Sequence, residues 1–265
     1  MKFFILFTLL YSTLFSKVYY SKVAPYEIRD ISSNVSGIVT LSDENMLGKR
    51  LPSQSYIKVD AKLDKKELQS VEKKLVIYAK TIETNQAILH NLEELLEKKR
   101  TNYKEIKNLK IKSRIEKDKE FYNLIASQNN YLSTQKEINT LKTQVADLEL
   151  RKAQLQKSIQ DKNFSNAGFT LYALFVKKGQ VVNPAMLVAK IADTSKALLT
   201  LYLDETDVPN AKKKIIYING KKTPYKISRL LTIADSINIS KYKAQIIIQA
   251  PKTFSKLVQI ELKNE

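Results

Sequence analysis

The chain has 265 residues, 43% of them hydrophobic and 27% charged, with no cysteine and a single histidine, His90. That composition excludes disulfides, thiolate metal sites, a cysteine nucleophile, a lipidated N-terminal cysteine and a histidine-rich metal centre. Forty-five Lys and Arg against 27 acidic residues give a net charge of +18, which directs attention to acidic partners: nucleic acid inside a cell, or an acidic surface outside it.

The N-terminus argues for export. Lys2 precedes Phe3, Phe4, Ile5, Leu6, Phe7, Thr8, Leu9, Leu10 and Tyr11, and the stretch closes on Ser12, Thr13 and Ser16. About 14 mostly apolar residues suit a signal-peptide core and fall short of the ~20 that cross a bilayer. Residues 1–16 are therefore expected to be a signal peptide cut near Ser16, and nucleic acid drops out as a partner. An uncleaved anchor stays open, because Lys2 is the one charge ahead of the apolar run and Leu14 is an unusual residue three before the cut.

Residues 17–63 read as short strands, with β-branched and aromatic residues in Val18-Tyr19-Tyr20, Val35-Ser36-Gly37-Ile38-Val39 and Tyr56-Ile57-Lys58-Val59. Residues 64–162 contain neither glycine nor proline, which points to long helices. Positions spaced alternately by three and four hold Leu68, Val71, Leu75, Tyr78, Ile82, Asn85, Leu89, Leu92, Leu96, Lys99, Tyr103 and Ile106, ten of the twelve apolar: a coiled-coil seam. A second seam runs through Leu124, Ser127, Tyr131, Thr134, Ile138, Leu141, Val145, Leu148, Lys152, Leu155 and Ile159. The register breaks between Lys110 and Lys119, so the sequence predicts two helices of ~45 residues, each ~65 to 70 Å long, folded back as a hairpin. A continuous rod in a parallel dimer is the competing reading.

Strand signals return from Gly168 onward, within a segment 163–199 that holds the second half-motif, and 200–265 read as a β-barrel module. Alternation over Leu199 to Leu203, an Asn219-Gly220 turn joining Ile215–Ile218 to Tyr225-Lys226-Ile227, and the run Ala244 to Ile248 fit an antiparallel meander. The two flanks also resemble each other. Gly37 and Gly48 are eleven apart, as are Gly168 and Gly179. Each second glycine leads to a proline, Pro52 or Pro184, and then to an apolar strand closed by Asp60 or Asp193. Paired half-motifs around an insertion imply one β-domain assembled from both halves, which a hairpin permits and a rod forbids.

Such half-motifs around a coiled-coil hairpin resemble the split lipoyl-like domain of the HlyD-type membrane fusion proteins, also called periplasmic adaptors. The likeness spans roughly residues 26–250 and is best from Gly168 to Asp207. There Gly179-Gln180-Val181-Val182, Ile191-Ala192-Asp193-Thr194-Ser195 and Leu201-Tyr202-Leu203-Asp204-Glu205-Thr206-Asp207 look like the family's glycine turn, strand-end aspartate and lead into a β-barrel. The resemblance implies an α+β chain: a helical hairpin inserted in a split lipoyl-like (barrel-sandwich hybrid) domain, then a β-barrel. It also implies a non-catalytic periplasmic subunit without a cofactor, linking an inner-membrane transporter (ABC or RND type) to a TolC-like outer-membrane channel as a homo-oligomeric ring, commonly a hexamer. Many members continue into a membrane-proximal domain for which these 265 residues leave no room, so contact with the transporter is expected on the barrel.

Adaptors of this kind that dock on such channels carry an arginine, a leucine two residues later and a serine after a six-residue gap. Lys104, Ile106 and Ser113 stand at that spacing near the expected turn, although lysine lacks the planar fork of arginine. Around them, residues 98–119 hold ten Lys or Arg, Lys107 and Lys110 among them, against Glu105, Glu116 and Asp118, a balance of +7. Docking of this basic tip on an acidic channel mouth stands beside the plainer reading of a solvated, lysine-rich helix end. Likewise the loop Lys177-Lys178-Gly179-Gln180 either faces the axis of a ring, where its lysines repel cations, or is ordinary surface.

Three rival functions have weaker support. Asp60-Ala61-Lys62 offers a modifiable lysine for a lipoyl or biotinyl carrier, but a helix follows where the carrier needs a tight turn. A hydrolase lacks a Gly-x-Ser-x-Gly elbow, a Walker loop or paired carboxylates. An exported coiled-coil scaffold without transport partners explains the seam and leaves the paired half-motifs unexplained.

Overall fold

The computed structural model describes residues 17–234, 238 and 240–264, so the expected signal peptide lies outside the described residues. The chain forms two units. The first gathers residues 17–33, Leu41–Ile57 and the chain from Ser165 onward; the second is Asn34–Thr40 with Lys58–Phe164.

In the first unit, strands β1 (Val18–Lys22) and β2 (Ala24–Ser32) lead the chain, and β6 (Thr170–Leu174), β7 (Val181–Val182) and β8 (Leu187–Asp204) return it. The module is completed by β9 (Ile215–Ile218), β10 (Lys221–Lys222), β11 (Ile227–Ala234), β12 (Lys241–Gln249) and β13 (Leu257–Lys263). The 18-residue β8 is its spine. One edge pairs with β2, and the other pairs first with β6 and then with β12 from Lys196 to Asp204. A second sheet runs β1-β13-β9-β10. Inward residues alternate along β8 as Ala197, Leu199, Leu201 and Leu203, meeting Ile216, Ile246 and Ile260, and all of these are fully shielded from solvent. That period of two makes one face of a curled half-barrel into core.

Two sequence expectations change here. The strand closed by Asp193 continues to Asp204: Asp193 accepts the Ser195 amide at 2.9 Å, a local turn of the backbone at the point where β8 exchanges one set of partners for another. The Asn219-Gly220 turn joins β9 to β10, pairing Ile218 with Lys221, and Tyr225 lies beyond that hairpin. Both turn residues have positive φ, 49° and 77°, the requirement of a two-residue turn that twists with its strands, and such a turn returns the chain at once.

The two halves of the first unit are stitched together across the insertion. Gly48 N–H donates to the Leu171 carbonyl at 2.9 Å, Leu171 N–H to Lys49 at 3.1 Å, Leu51 N–H to Phe169 at 2.7 Å and Gly168 N–H to Leu51 at 3.0 Å. Tyr56 is buried, its hydroxyl donates to Asn166 Oδ1 at 2.8 Å, and burial pushes its pKa up to about 12.

The second unit is a helical hairpin on a short strand base. In its strand base, β3 (Gly37–Ser42), β4 (Ile57–Val59) and β5 (Asn163–Phe164) lie side by side in the order β5-β4-β3. Gly37 is required here, because a Cβ would stand 2.6 Å from Val59 Cγ1. Helix α1 (Lys62–Asn108) opens where Asp60 accepts the Lys62 amide at 2.9 Å, so Lys62 begins a helix instead of crowning a turn. Helix α2 (Arg114–Asp161) returns antiparallel. At 1.5 Å per residue each spans ~70 Å. The antiparallel packing of α1 on α2 within one chain replaces the rod.

Cross-helix contacts fix the register. Asp64 receives Ser158 Oγ at 2.7 Å and Lys162 Nζ at 2.8 Å, Glu67 receives Arg151 at 2.6 Å, Glu72 receives Lys152 at 3.2 Å, and Tyr103 packs on Phe121 with ring centroids 5.6 Å apart. Burial tends to raise the Asp64 pKa; the hydrogen bonds from Lys162 and Ser158 outweigh it and hold the carboxylate below its ordinary range. Val71, Leu96, Ile138 and Leu155 fill the seam, as do the polar Asn85 and Ser127. The Ser127 hydroxyl is satisfied by the Asn123 carbonyl at 3.0 Å, whereas Asn85 Nδ2 is buried without a hydrogen-bond partner among the described residues.

Candidate functional site

The far end of the hairpin is where the chain concentrates charge and exposed apolar surface. Helix α1 stops because Leu109 turns extended, its amide closing the last turn on the Ile106 carbonyl at 3.1 Å. Neither glycine nor proline ends it. The restart is set by the pair Ser113 and Glu116, three residues apart: the Ser113 hydroxyl accepts the Glu116 amide at 3.3 Å, and the Glu116 carboxylate accepts the Ser113 amide at 2.9 Å and hydroxyl at 3.0 Å. This reciprocal cap satisfies two orphan amides at the start of α2. Lys112 reaches Glu116 at 3.0 Å, and its ammonium, followed by the Ser113 amide and hydroxyl, holds the Glu116 pKa down at about 2.

The predicted tip residues therefore separate. Lys104, Lys107 and Lys110 carry the charge of the tip, Ile106 is half-buried, and Ser113 is exposed with its hydroxyl both donating and accepting inside the cap. Ile106 lines a recess of about 170 Å³ with Lys112, Glu116, Lys119 and Glu120. Among the described residues Lys104, Lys107, Lys110, Lys117 and Lys119 have no carboxylate within ion-pair distance, whereas Arg100 lies 3.7 Å from Glu97 and Arg114 3.8 Å from Asp118. Sequence patterns gave no role to Ile111 and Ile115, which are 89% and 81% exposed beside the cap. A signal for them exists: both fall in the gap between the two seams, where neither helix has a use for an aliphatic side chain.

The glycines of the half-motifs are scattered in role. Gly48 and Gly168 carry the stitching hydrogen bonds of the first unit, and Gly37 allows the close approach of Val59 in the second. Gly179 sits in the loop Lys177-Lys178-Gly179-Gln180, which is exposed and closes on itself: Gln180 N–H donates to the Lys177 carbonyl at 3.1 Å, and Lys177 N–H to Gln180 Oε1 at 2.6 Å. A polar cluster in the first unit, unforeseen from sequence, pins β1. Tyr19 donates to Asp207, Lys214 reaches Asp207 at 2.9 Å, and Lys17 and Lys241 contact Asp204. Burial and then the Asp207 hydrogen bond push the Tyr19 pKa well above the usual phenol range. No helix among the described residues is long and apolar enough to cross a membrane.

In sequence the chain matches no protein-family profile and no curated protein. In structure it is similar to MacA from Actinobacillus actinomycetemcomitans, with a TM-score of 0.64 at 17% identity over 93% of this chain and 78% of that one. It is similar also to a MacA-MexA chimera containing the Pseudomonas aeruginosa MexA α-hairpin domain, with a TM-score of 0.62 at 15% identity over 94% of this chain and 82% of the other. The membrane fusion protein Spr0693 from Streptococcus pneumoniae R6 gives 0.55 at 13% identity, over 94% of this chain and 100% of that one. At such identities the likeness is one of fold alone: a long helical hairpin with antiparallel sheets and a curled half-barrel.

Proposed function

We propose that this chain is a periplasmic adaptor that links an inner-membrane transporter of the ABC or RND type to a TolC-like outer-membrane channel, for efflux or secretion, as a homo-oligomeric ring. The observation that carries the reading is the fold shared with membrane fusion proteins over more than nine-tenths of the chain, combined with a hairpin that ends in a strongly basic, exposed turn. Its action is to position and to bridge. A hairpin of ~70 Å spans a gap between two partners, and the lysines at its end, without ion-pair partners among the described residues, speed encounter with an acidic mouth and select the partner more than they add affinity. In a ring, the loop at Lys177, Lys178 and Gln180 is assigned to the axis, where its lysines would hinder cations.

The test is charge reversal at the tip. Lys104→Glu with Lys107→Glu, in cells that carry the transporter and the channel, is expected to lower both cross-linking to the channel and tolerance of the exported compound. Unchanged values in both assays contradict the reading.

A further inference from the structure

The fold leaves two aliphatic side chains at the hairpin end with nothing in their own chain to pack against. Ile111, at 89% exposure, lies in the turn between Lys110 and Lys112, and Ile115, at 81%, follows Arg114 in the first turn of α2. Neither is needed to make the turn: the cap is built by Ser113 and Glu116, and α1 is closed by the Leu109 amide. A partner that covered the pair would remove its apolar surface from water. Resting on the adaptor reading above, we infer that Ile111 and Ile115 are the anchor residues of the tip and seat in an apolar recess within an acidic rim on the channel protein.

Three observations favour that occupant. Lys104, Lys107, Lys110, Lys117 and Lys119 flank the pair along the chain without ion-pair partners among the described residues, so a complementary surface brings carboxylates beside an apolar centre. This is the ordinary plan of a protein interface, an apolar core with a charged rim in which a few central side chains dominate the binding energy. Ser113, singled out by the resemblance together with Lys104 and Ile106, has its hydroxyl engaged in both directions by Glu116, which leaves it to shape the turn. A lipid surface fits less well: a membrane-surface helix presents an apolar face along its length, whereas here the exposed apolar side chains Leu109, Ile111, Ile115, Phe121 and Tyr122 are gathered at the turn between two helices.

The experiment places a photo-cross-linking residue at Lys110 in the full-length chain, expressed with its transporter and channel, and reads the yield of the adaptor–channel adduct identified by mass spectrometry. Ile111→Asn with Ile115→Asn is expected to cut that yield about tenfold or more, with helix content by circular dichroism unchanged. Ser113→Gly, which a cap position tolerates with little loss of helix stability, is expected to keep it. An unchanged yield in the double variant, or a yield lost in Ser113→Gly with the helix intact, overturns the inference while leaving the adaptor reading standing. No channel adduct in the parent chain overturns both. Sedimentation of the purified chain with phosphatidylcholine–phosphatidylglycerol vesicles serves as the lipid arm: binding that depends on Ile111 and Ile115 overturns the assignment to a protein, and absence of such binding supports it.

Discussion

In the β unit, Leu199, Leu201, Leu203, Ile216, Ile246 and Ile260 are completely shielded, each closed in by two sheets. In the hairpin the best-covered side chains, Ile138 and Leu155, retain 4% exposure, and the seam devotes two places to Asn85 and Ser127. A helix with one neighbour can bury only one stripe, so two-helix packing yields little stability per residue however long it runs. The difference separates two tasks. The β unit holds the chain folded, and the hairpin gives up stability for reach.

Perturbing each region sharpens this contrast. Leu201→Ala in the β unit is expected to cost about 2 to 5 kcal/mol, since it opens a cavity in a fully closed core; a urea midpoint that barely moves would place the stability elsewhere. In the hairpin the sign reverses. Asn85→Leu removes a buried amide nitrogen with no hydrogen-bond partner among the described residues and is expected to raise hairpin stability by ~1 kcal/mol. Thermal unfolding followed at 222 nm checks this, and a loss of stability would mean that the amide is satisfied. Ser113→Ala should cost about 1 kcal/mol confined to the start of α2, seen as faster amide exchange at 114–117 with the rest of the chain unaltered.

The smallest effect is one of pH. Glu116 has its pKa lowered to about 2 in the folded chain, against an ordinary value of ~4.3. A depressed carboxylate contributes its stability in full above the ordinary value and loses it as pH falls through the folded one. The turn should therefore stay capped by this group at about pH 5 to 7 and fray as the pH approaches about 2. A carboxyl carbon titration of Glu116 with a midpoint at its ordinary value would contradict the capping geometry.

The helices were legible because 64–162 lack glycine and proline while apolar residues recur at three and four, and the core of β8 because Leu199, Leu201 and Leu203 alternate. The turn was harder to place. It has no glycine or proline, and its one marker is the spacing of Ser113 and Glu116, a helix-start signal that is masked when Ser113 is read as part of a family motif. The length of β8 was hidden for a related reason: Asp193 reads as a strand end, yet its side chain bonds the next turn of backbone while the ladder continues on β12. The cluster of Tyr19 with Asp207 joins residues 188 apart in sequence, which no local pattern announces. Ile111 and Ile115 were hidden because an aliphatic residue outside a period carries no structural meaning until its exposure is known.

For the flanks of the insertion to form one unit, the helices must double back, and the proposed adaptor function stands or falls with that geometry. The chain has no cysteine, and spin labels at Lys49→Cys and Tyr172→Cys, on exposed positions next to the paired backbones of Lys49 and Leu171, report it directly. Electron–electron dipolar spectroscopy is predicted to give a short separation, set by an adjacent-strand spacing of ~5 Å plus the two label tethers. A distance too long to measure, as expected if α1 and α2 ran on as one rod of ~140 Å, would contradict it.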